Sequence, residues 1–259
     1  MTQFALFIFF IRLFLPLSGL MAQEPLRVGM ELAYPPFEMT TTTGAPAGVS
    51  VEIAKALGEY LDREVQIQNI PFDGLIPALK SGKIDLIISS MTATPERART
   101  IDFSEPYLTT GLCLLVGKGS AIKSIQDADQ GGRKIAVKKG TTGHLYAAKN
   151  LRNAKMLVLD KETAGVLEVI QGKADAFIYD QMSTFKHWQS NKETTRALLD
   201  PFQKESWAIG LRKDDDELRK QVNEFLEKFR AEGGFKRLGD EFLGEQKKAF
   251  AEEGVQFYF

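Results

Sequence analysis

The 259-residue sequence holds one cysteine and two histidines. A lone cysteine cannot close a disulfide within the chain, so a packed core has to supply the stability. Cys113 sits in Gly111-Leu112-Cys113-Leu114-Leu115-Val116, a buried-strand pattern, and reads as an inert core thiol. His144 and His187 form no cluster with metal-ligand spacing, and no Gly-x-Ser-x-Gly nucleophile motif occurs. Charge of either sign is also missing in excess. The formal net charge is −1, which gives no electrostatic footprint for a nucleic acid or other polyanion.

Long apolar runs are scarce as well. The one near-continuous stretch, Phe4 to Leu20, is interrupted by Arg12, Pro16, Ser18 and Gly19. It falls short of the ~20 residues that a membrane span needs. Residues 1–22 read as a secretory signal cut near Ala22-Gln23, with an uncleaved N-terminal anchor as the competing reading. No Lys or Arg precedes the run, and Leu20 is large for its place before the cut. No cysteine near the cut supports a lipid anchor.

What is present has the proportions of a globular protein. Hydrophobic residues make up 44% and charged residues 26%, with room for one large domain or two small ones. One pattern occurs twice. Leu79-Lys80-Ser81-Gly82-Lys83-Ile84-Asp85-Leu86-Ile87-Ile88 reads helix end, Gly-Lys stop, Asp, buried strand. Val169-Ile170-Gln171-Gly172-Lys173-Ala174-Asp175-Ala176-Phe177-Ile178 reads the same. One α/β unit used twice gives two lobes, and a cleft between lobes can hold a small molecule.

The first lobe reads as strand 26–30, a Tyr34-Pro35-Pro36-Phe37 turn, helix 51–61, strand 65–70, helix 72–81 and strand 84–88. The second reads as strand 134–138, a helix from Gly143 to Asn150, strand 156–159, helix 161–171 and strand 174–178. Strand–helix alternation at this spacing predicts mostly parallel sheets with right-handed crossovers. Residues 107–116 run out as extended chain and 205–211 run back, a two-strand hinge. The expected division is 24–110 with 206–259 as lobe one, and 111–205 as lobe two. Helices over 217–229 and 234–243 are expected on lobe one, the first burying Leu218, Val222, Phe225, Leu226 and Phe229.

Open α/β sheets bind ligands at the C-terminal ends of their strands. Glu31, Ser89, Ser90, Thr92 and Asp180 stand at such ends. Thr94-Pro95-Glu96-Arg97 starts a helix, so Arg97 joins a helix N-terminus there and suits a carboxylate. Its alternative is a solvated arginine satisfied by Glu96 or Asp102. Lys138-Lys139-Gly140-Thr141-Thr142-Gly143 links strand to helix. It reads either as an anion-facing loop or as a plain turn, without Walker spacing. Asp180, costly if buried alone, calls for a cation, from a ligand ammonium or from Lys186. Tyr34 and Phe72 either flank the cleft or pack in the core.

Together these segments resemble the periplasmic solute-binding proteins for polar amino acids, the receptors of ABC importers. The matching text includes Ala33-Tyr34-Pro35-Pro36-Phe37-Glu38, Gly48 to Leu57, Phe72 to Leu79, Met91-Thr92-Ala93-Thr94-Pro95-Glu96-Arg97, Asp102 to Tyr107, Gly140-Thr141-Thr142 and Ala174 to Asp180. It spans residues from about 25 to 245. The resemblance implies an α/β two-lobed fold and capture of an amino acid by lobe closure, in the periplasm. It further implies a monomer that delivers to an inner-membrane permease, without cofactor and without catalysis. Arg97 would bind the ligand carboxylate, helped by Thr92 and by groups around Ser90 and Thr142. Asp180 would take the ammonium with Ser90. Tyr34 and Phe72 would line the side-chain slot, and Glu31 and Lys138 would read its far end. The family commonly carries Phe-Asp after the residue matching Gly48. Here Val49-Ser50 stands, at a helix start expected to lie away from the ligand.

The favoured ligand at this level is a polar uncharged amino acid such as glutamine, since Glu31 and Lys138 offer an acceptor and a donor. Ser89-Ser90 resembles the basic amino-acid binders, the other option. Three competing functions differ in what they require. A dehydratase on the same scaffold needs a general acid, with Glu31 or His144 in that role. A sensor ectodomain needs a membrane span and signalling module, which the sequence up to Phe259 does not carry. A fused lytic transglycosylase needs a second domain that this length does not hold.

Overall fold

The computed structural model describes residues 24–254, so the expected leader, 1–22, lies outside the described residues. The first lobe runs β1 (Leu26–Met30), β2 (Ala33–Tyr34), β3 (Glu38–Thr40), β4 (Pro46–Ala47), α1 (Val49–Tyr60), β5 (Val65–Asn69), α2 (Leu75–Lys80), β6 (Leu86–Ile87), α3 (Pro95–Ala98) and β7 (Asp102–Phe103). The second runs β8 (Leu108–Gly117), α4 (Ile125–Ala128), β9 (Lys134–Lys138), α5 (Thr142–Asn150), β10 (Lys155–Leu159), α6 (Glu162–Ile170), β11 (Ala176–Asp180), α7 (Gln181–Ser190) and β12 (Thr195–Trp207). The chain then adds β13 (Gly210–Leu211), α8 (Asp216–Ala231), α9 (Gly234–Phe242) and α10 (Gly244–Glu252).

Each lobe is built on one five-stranded sheet, ordered β5-β1-β6-β13-β7 and β10-β9-β11-β8-β12. In both, three parallel strands are followed by one antiparallel strand and then by an outer strand that again runs with the first three, so four of the five strands share one direction. The parallel trio is the repeated unit. Gly82 and Gly172 end its helices with φ of 74° and 67°, the left-handed conformation that a glycine stop supplies. Leu75, Leu79, Ile84 and Ile87 fill one face of the first sheet. Ile135, Val137, Ala176 and Ile178 fill the corresponding face of the second. Cys113 is buried in that second sheet, and burial pushes its thiol up, as an inert core thiol requires.

The hinge is made where β8 and β12 cross between the lobes as an antiparallel pair, ending at Leu108 opposite Trp207. The Tyr107 N–H donates to the Trp207 carbonyl, and Ala208 N–H to Met91 O, tying both crossings to the first lobe. Of the predicted stripe, Leu218, Val222, Phe225 and Leu226 of α8 are buried, while Phe229, near the end of the helix, is only partly buried.

Two features differ from the sequence expectation. A small antiparallel sheet, β2-β3-β4, packs over the turn after β1. The C-terminal helices do not all stay on lobe one. Phe250 of α10 is fully buried against Phe185 of α7, with ring centroids 4.1 Å apart. Lys192 and Glu253 pair alongside at 3.4 Å. An aromatic pair of that kind fixes the helix to the second lobe.

Candidate ligand-binding site

The lobes are closed on one another, and side chains from both meet around one cavity. It lies between the two lobes, where small-molecule sites commonly form. Ten of the residues singled out in the sequence line it: Glu31, Tyr34, Phe72, Ser89, Ser90, Thr92, Arg97, Thr141, Thr142 and Asp180. Lys138 stands directly behind Glu31, to which its ammonium is ion-paired across the lobes.

Arg97 is placed by the start of α3. Thr94 caps that helix by accepting from the Arg97 N–H at 3.2 Å, and Pro95 opens it. The guanidinium donates to the Thr92 carbonyl at 2.7 Å and, across the cleft, to the Gly140 carbonyl at 3.0 Å. Among the described residues it has no ion-pair partner, although it is only 6% exposed. Glu96 pairs with Lys149 and Asp102 with Lys213, so neither satisfies it. Burial pulls Arg97 down to about 10, against the pull of Glu205. A buried cation in this state is a receptor for an anion.

Asp180 ends β11 and caps α7 by accepting from the Ser183 N–H at 3.0 Å. The Tyr34 hydroxyl donates to it at 2.7 Å from the other lobe. Burial pushes its carboxyl up to about 7, although both hydrogen bonds oppose the shift. Lys186, the alternative partner, donates instead to the Pro35 carbonyl at 3.0 Å. Phe72 lies under two cations, Arg97 at 5.5 Å and Lys138 at 5.6 Å from its ring centroid. Thr141 caps α5, so the Lys138–Gly143 loop enters that helix with its N-terminus toward the cavity.

The sequence reading missed two buried carboxylates. Glu205, on the returning hinge strand, accepts from Thr92 at 3.1 Å and Thr142 at 3.0 Å, one hydroxyl from each lobe. Burial raises its pKa, opposed by those hydroxyls, Gln203 and Arg97. Glu38, the first residue of β3, accepts from Ser50 at 2.6 Å, Ser90 at 3.1 Å and Ser89 at 3.4 Å. Burial pushes it up to about 8. Ser90 therefore faces Glu38 and not Asp180. Ser50, expected to lie clear of the ligand, holds a residue of the cavity wall.

The position of Ser50 has a backbone cause. Val49 and Ser50 N–H groups donate to the Pro36 and Phe37 carbonyls at 3.2 and 2.8 Å, so the preceding turn caps α1. Gly48, at φ 114°, makes that approach feasible, because a Cβ there would stand 2.5 Å from the Phe37 carbonyl oxygen. With the helix end satisfied by backbone, the Ser50 hydroxyl is released to Glu38.

The profile of the bacterial extracellular solute-binding proteins, family 3, matches residues 26–245. This chain belongs to that family. A relative, the L-arginine-binding protein of Pseudomonas aeruginosa, is 33% identical over 238 residues, covering 88% of this chain and 92% of the relative. Among solved structures, an ancestral arginine-binding protein bound to arginine is 32% identical with a TM-score of 0.79, covering 85% and 99%. An ancestral amino acid-binding protein described as a precursor of cyclohexadienyl dehydratase is 34% identical with a TM-score of 0.77, covering 84% and 95%.

For this solute-binding protein the general acids that a dehydratase would recruit are not free. Glu31 is held by Lys138. The His144 ring accepts from the Gly140 N–H at 3.3 Å and lies outside the cavity lining. Among the described residues no group of acidic, cysteine or histidine side chains is arranged to hold a metal ion. No helix among them is long and apolar enough to cross a membrane.

Proposed function

We propose that this protein captures one free amino acid between its lobes outside the cytoplasm and hands it, as a monomer, to an ABC permease. The supporting observation is Arg97, a buried guanidinium that among the described residues has no ion pair, sharing one cavity with Asp180, whose carboxyl has no cation paired to it among those residues. A zwitterion supplies both missing charges. The carboxylate meets Arg97 and the N-terminus of α5, and the ammonium meets Asp180 and the Tyr34 hydroxyl. Those groups come from both lobes, so the complete site exists only on closure. Closure excludes water and strengthens both pairs.

The side chain runs toward Glu31 and Lys138 past Tyr34 and Phe72. A neutral amide suits one acceptor and one donor there. A cationic side chain suits Glu31, and relatives named for arginine favour it. A thermal-shift screen against the twenty common amino acids plus ornithine tests the reading. A ligand at a hundred times its Kd adds about 2.7 kcal/mol of stability. No shift with any of them overturns it.

An enzyme on this scaffold is the second reading. Glu205 favours it, as a buried carboxyl with raised affinity for protons beside Arg97. Mass spectrometry of the ligand recovered after incubation separates the two. A binder returns it unchanged, and a lyase returns a dehydrated or deaminated product.

A further inference from the structure

Glu38 is a part of the cavity that the amino-acid reading does not use. It lines the wall, is 1% exposed, and among the described residues has no lysine or arginine within ion-pair distance. Its partners are three serine hydroxyls from two elements, Ser50 on α1 and Ser89 and Ser90 after β6. Hydroxyls orient a carboxylate but carry no compensating charge. Tyr107 adds a buried hydroxyl beside Ser50 and Ser90 with no well-formed hydrogen bond of its own. Glu31 lies close enough to act on Glu38 electrostatically, and Ser89 links them, accepting from the Glu31 N–H at 3.0 Å.

The charges do not balance. Four carboxylates line the cavity, from Glu31, Glu38, Asp180 and Glu205, against Arg97 in the lining and Lys138 behind Glu31. Lys138 neutralises Glu31, and a ligand ammonium neutralises Asp180. Glu205 is left near Arg97, and Glu38 is left on the wall near Glu31.

We propose that Glu38, oriented by Ser50, is the second carboxylate that reads a cationic ligand side chain beside Glu31. The inference rests on the amino-acid reading above and fixes its ligand class as basic. The Val49-Ser50 departure then has a purpose. An aspartate at 50 would crowd a second buried anion against Glu38, whereas serine donates to it.

A consequence is proton coupling. Glu38 keeps its proton near neutral pH because burial holds its carboxyl at about 8, and a cation at the wall drives that proton off. Any ligand ammonium drives the Asp180 proton off to the solvent, and Glu205 responds to any carboxylate at Arg97. The difference between a cationic and a neutral ligand therefore isolates Glu38. Calorimetric titration of the protein with L-arginine and L-glutamine, at pH 6 to 8 in two buffers of different ionisation enthalpy, measures it.

The expected result is greater proton release with arginine than with glutamine, and an arginine-to-glutamine affinity ratio rising toward about tenfold per pH unit below pH 8. Glu38→Gln removes that slope and lowers the ratio at pH 8 by about tenfold or more. Ser50→Ala lowers it in the same direction, which keeps the variant test open if Glu38→Gln does not fold. Equal proton release with the two ligands, or an unchanged ratio in the variants, overturns the assignment of Glu38. Binding of glutamine alone overturns the basic class while leaving the amino-acid reading intact. No binding of either ligand, together with no shift in the wider screen, overturns both.

Discussion

Arg97 and Asp180 are held by structure that does not need their charges, which makes them separable from folding. Among the described residues the Arg97 side chain makes two hydrogen bonds to carbonyls and no ion pair, so its burial is a cost that the protein bears without ligand. Replacing such a buried charge with an apolar chain of similar length is often neutral or stabilising. Arg97→Met is therefore expected to keep or raise the ligand-free Tm while abolishing the ligand-induced shift, both read in one thermal-shift series. Asp180→Asn keeps an acceptor for the Ser183 N–H, so the cap of α7 survives and the Tm stays within about 1 kcal/mol equivalent. Its affinity for an ammonium falls by about two orders of magnitude or more, as expected when a charged partner is lost in a buried site. An Asp180→Asn variant that binds as tightly as the parent would place the ammonium elsewhere.

The loops that position these residues were legible where local chemistry fixes them. The Gly82 and Gly172 stops, the Thr94-Pro95 start of α3 and the buried strands after each stop follow from neighbours a few residues away. Glu38 and Glu205 were not legible, because isolated carboxylates in alternating strands look like solvated positions. What buries them is distant in sequence: Ser89 and Ser90 lie 51 and 52 residues from Glu38, and Thr92 lies 113 from Glu205. Helix α10 escaped for the same reason, its partner Phe185 being on another lobe. The β9–α5 loop shows how an element carries both local and distant demands. Gly140 has φ 76°, and a Cβ there would stand 2.9 Å from Asp73 Cβ of the facing lobe. Gly140→Ala is expected to cost about 1 kcal/mol of backbone strain and to hold the lobes apart. Its signature is a ligand affinity loss larger than the Tm loss, with a greater radius of gyration in solution scattering. An unchanged radius and affinity would show that the loop yields freely.

Closure of the whole molecule brings acidic groups out of water together, and this makes its stability depend on pH in a definable direction. Across the gap, Tyr34 meets Asp180, Lys139 meets Asp73 at 2.8 Å, and the Glu31–Lys138 pair is buried. Glu38 and Asp180 are raised to about 8 and about 7, above their ordinary values of 4.5 and 3.8. Between about pH 4 and pH 8 the folded protein thus holds protons that the unfolded chain has released. Stability from these groups is fully present below about pH 4 and is lost as pH rises through 7 and 8. The ion-paired Asp85 and Asp102 are lowered and act in the opposite sense, in a window below pH 4. From pH 5.5 to 8.5 the ligand-free protein is therefore expected to lose on the order of 1 kcal/mol or more per raised carboxyl. At this chain length each kcal/mol is about 2–4 °C of Tm. A bound ammonium ionises Asp180 at little cost, so saturating ligand flattens the dependence, and Asp180→Asn flattens it without ligand. Differential scanning calorimetry at the two pH values, with and without ligand, reads all three. A ligand-free Tm that rises between pH 5.5 and 8.5 would mean that the carboxyls are solvated, which an open arrangement of the lobes in solution would produce.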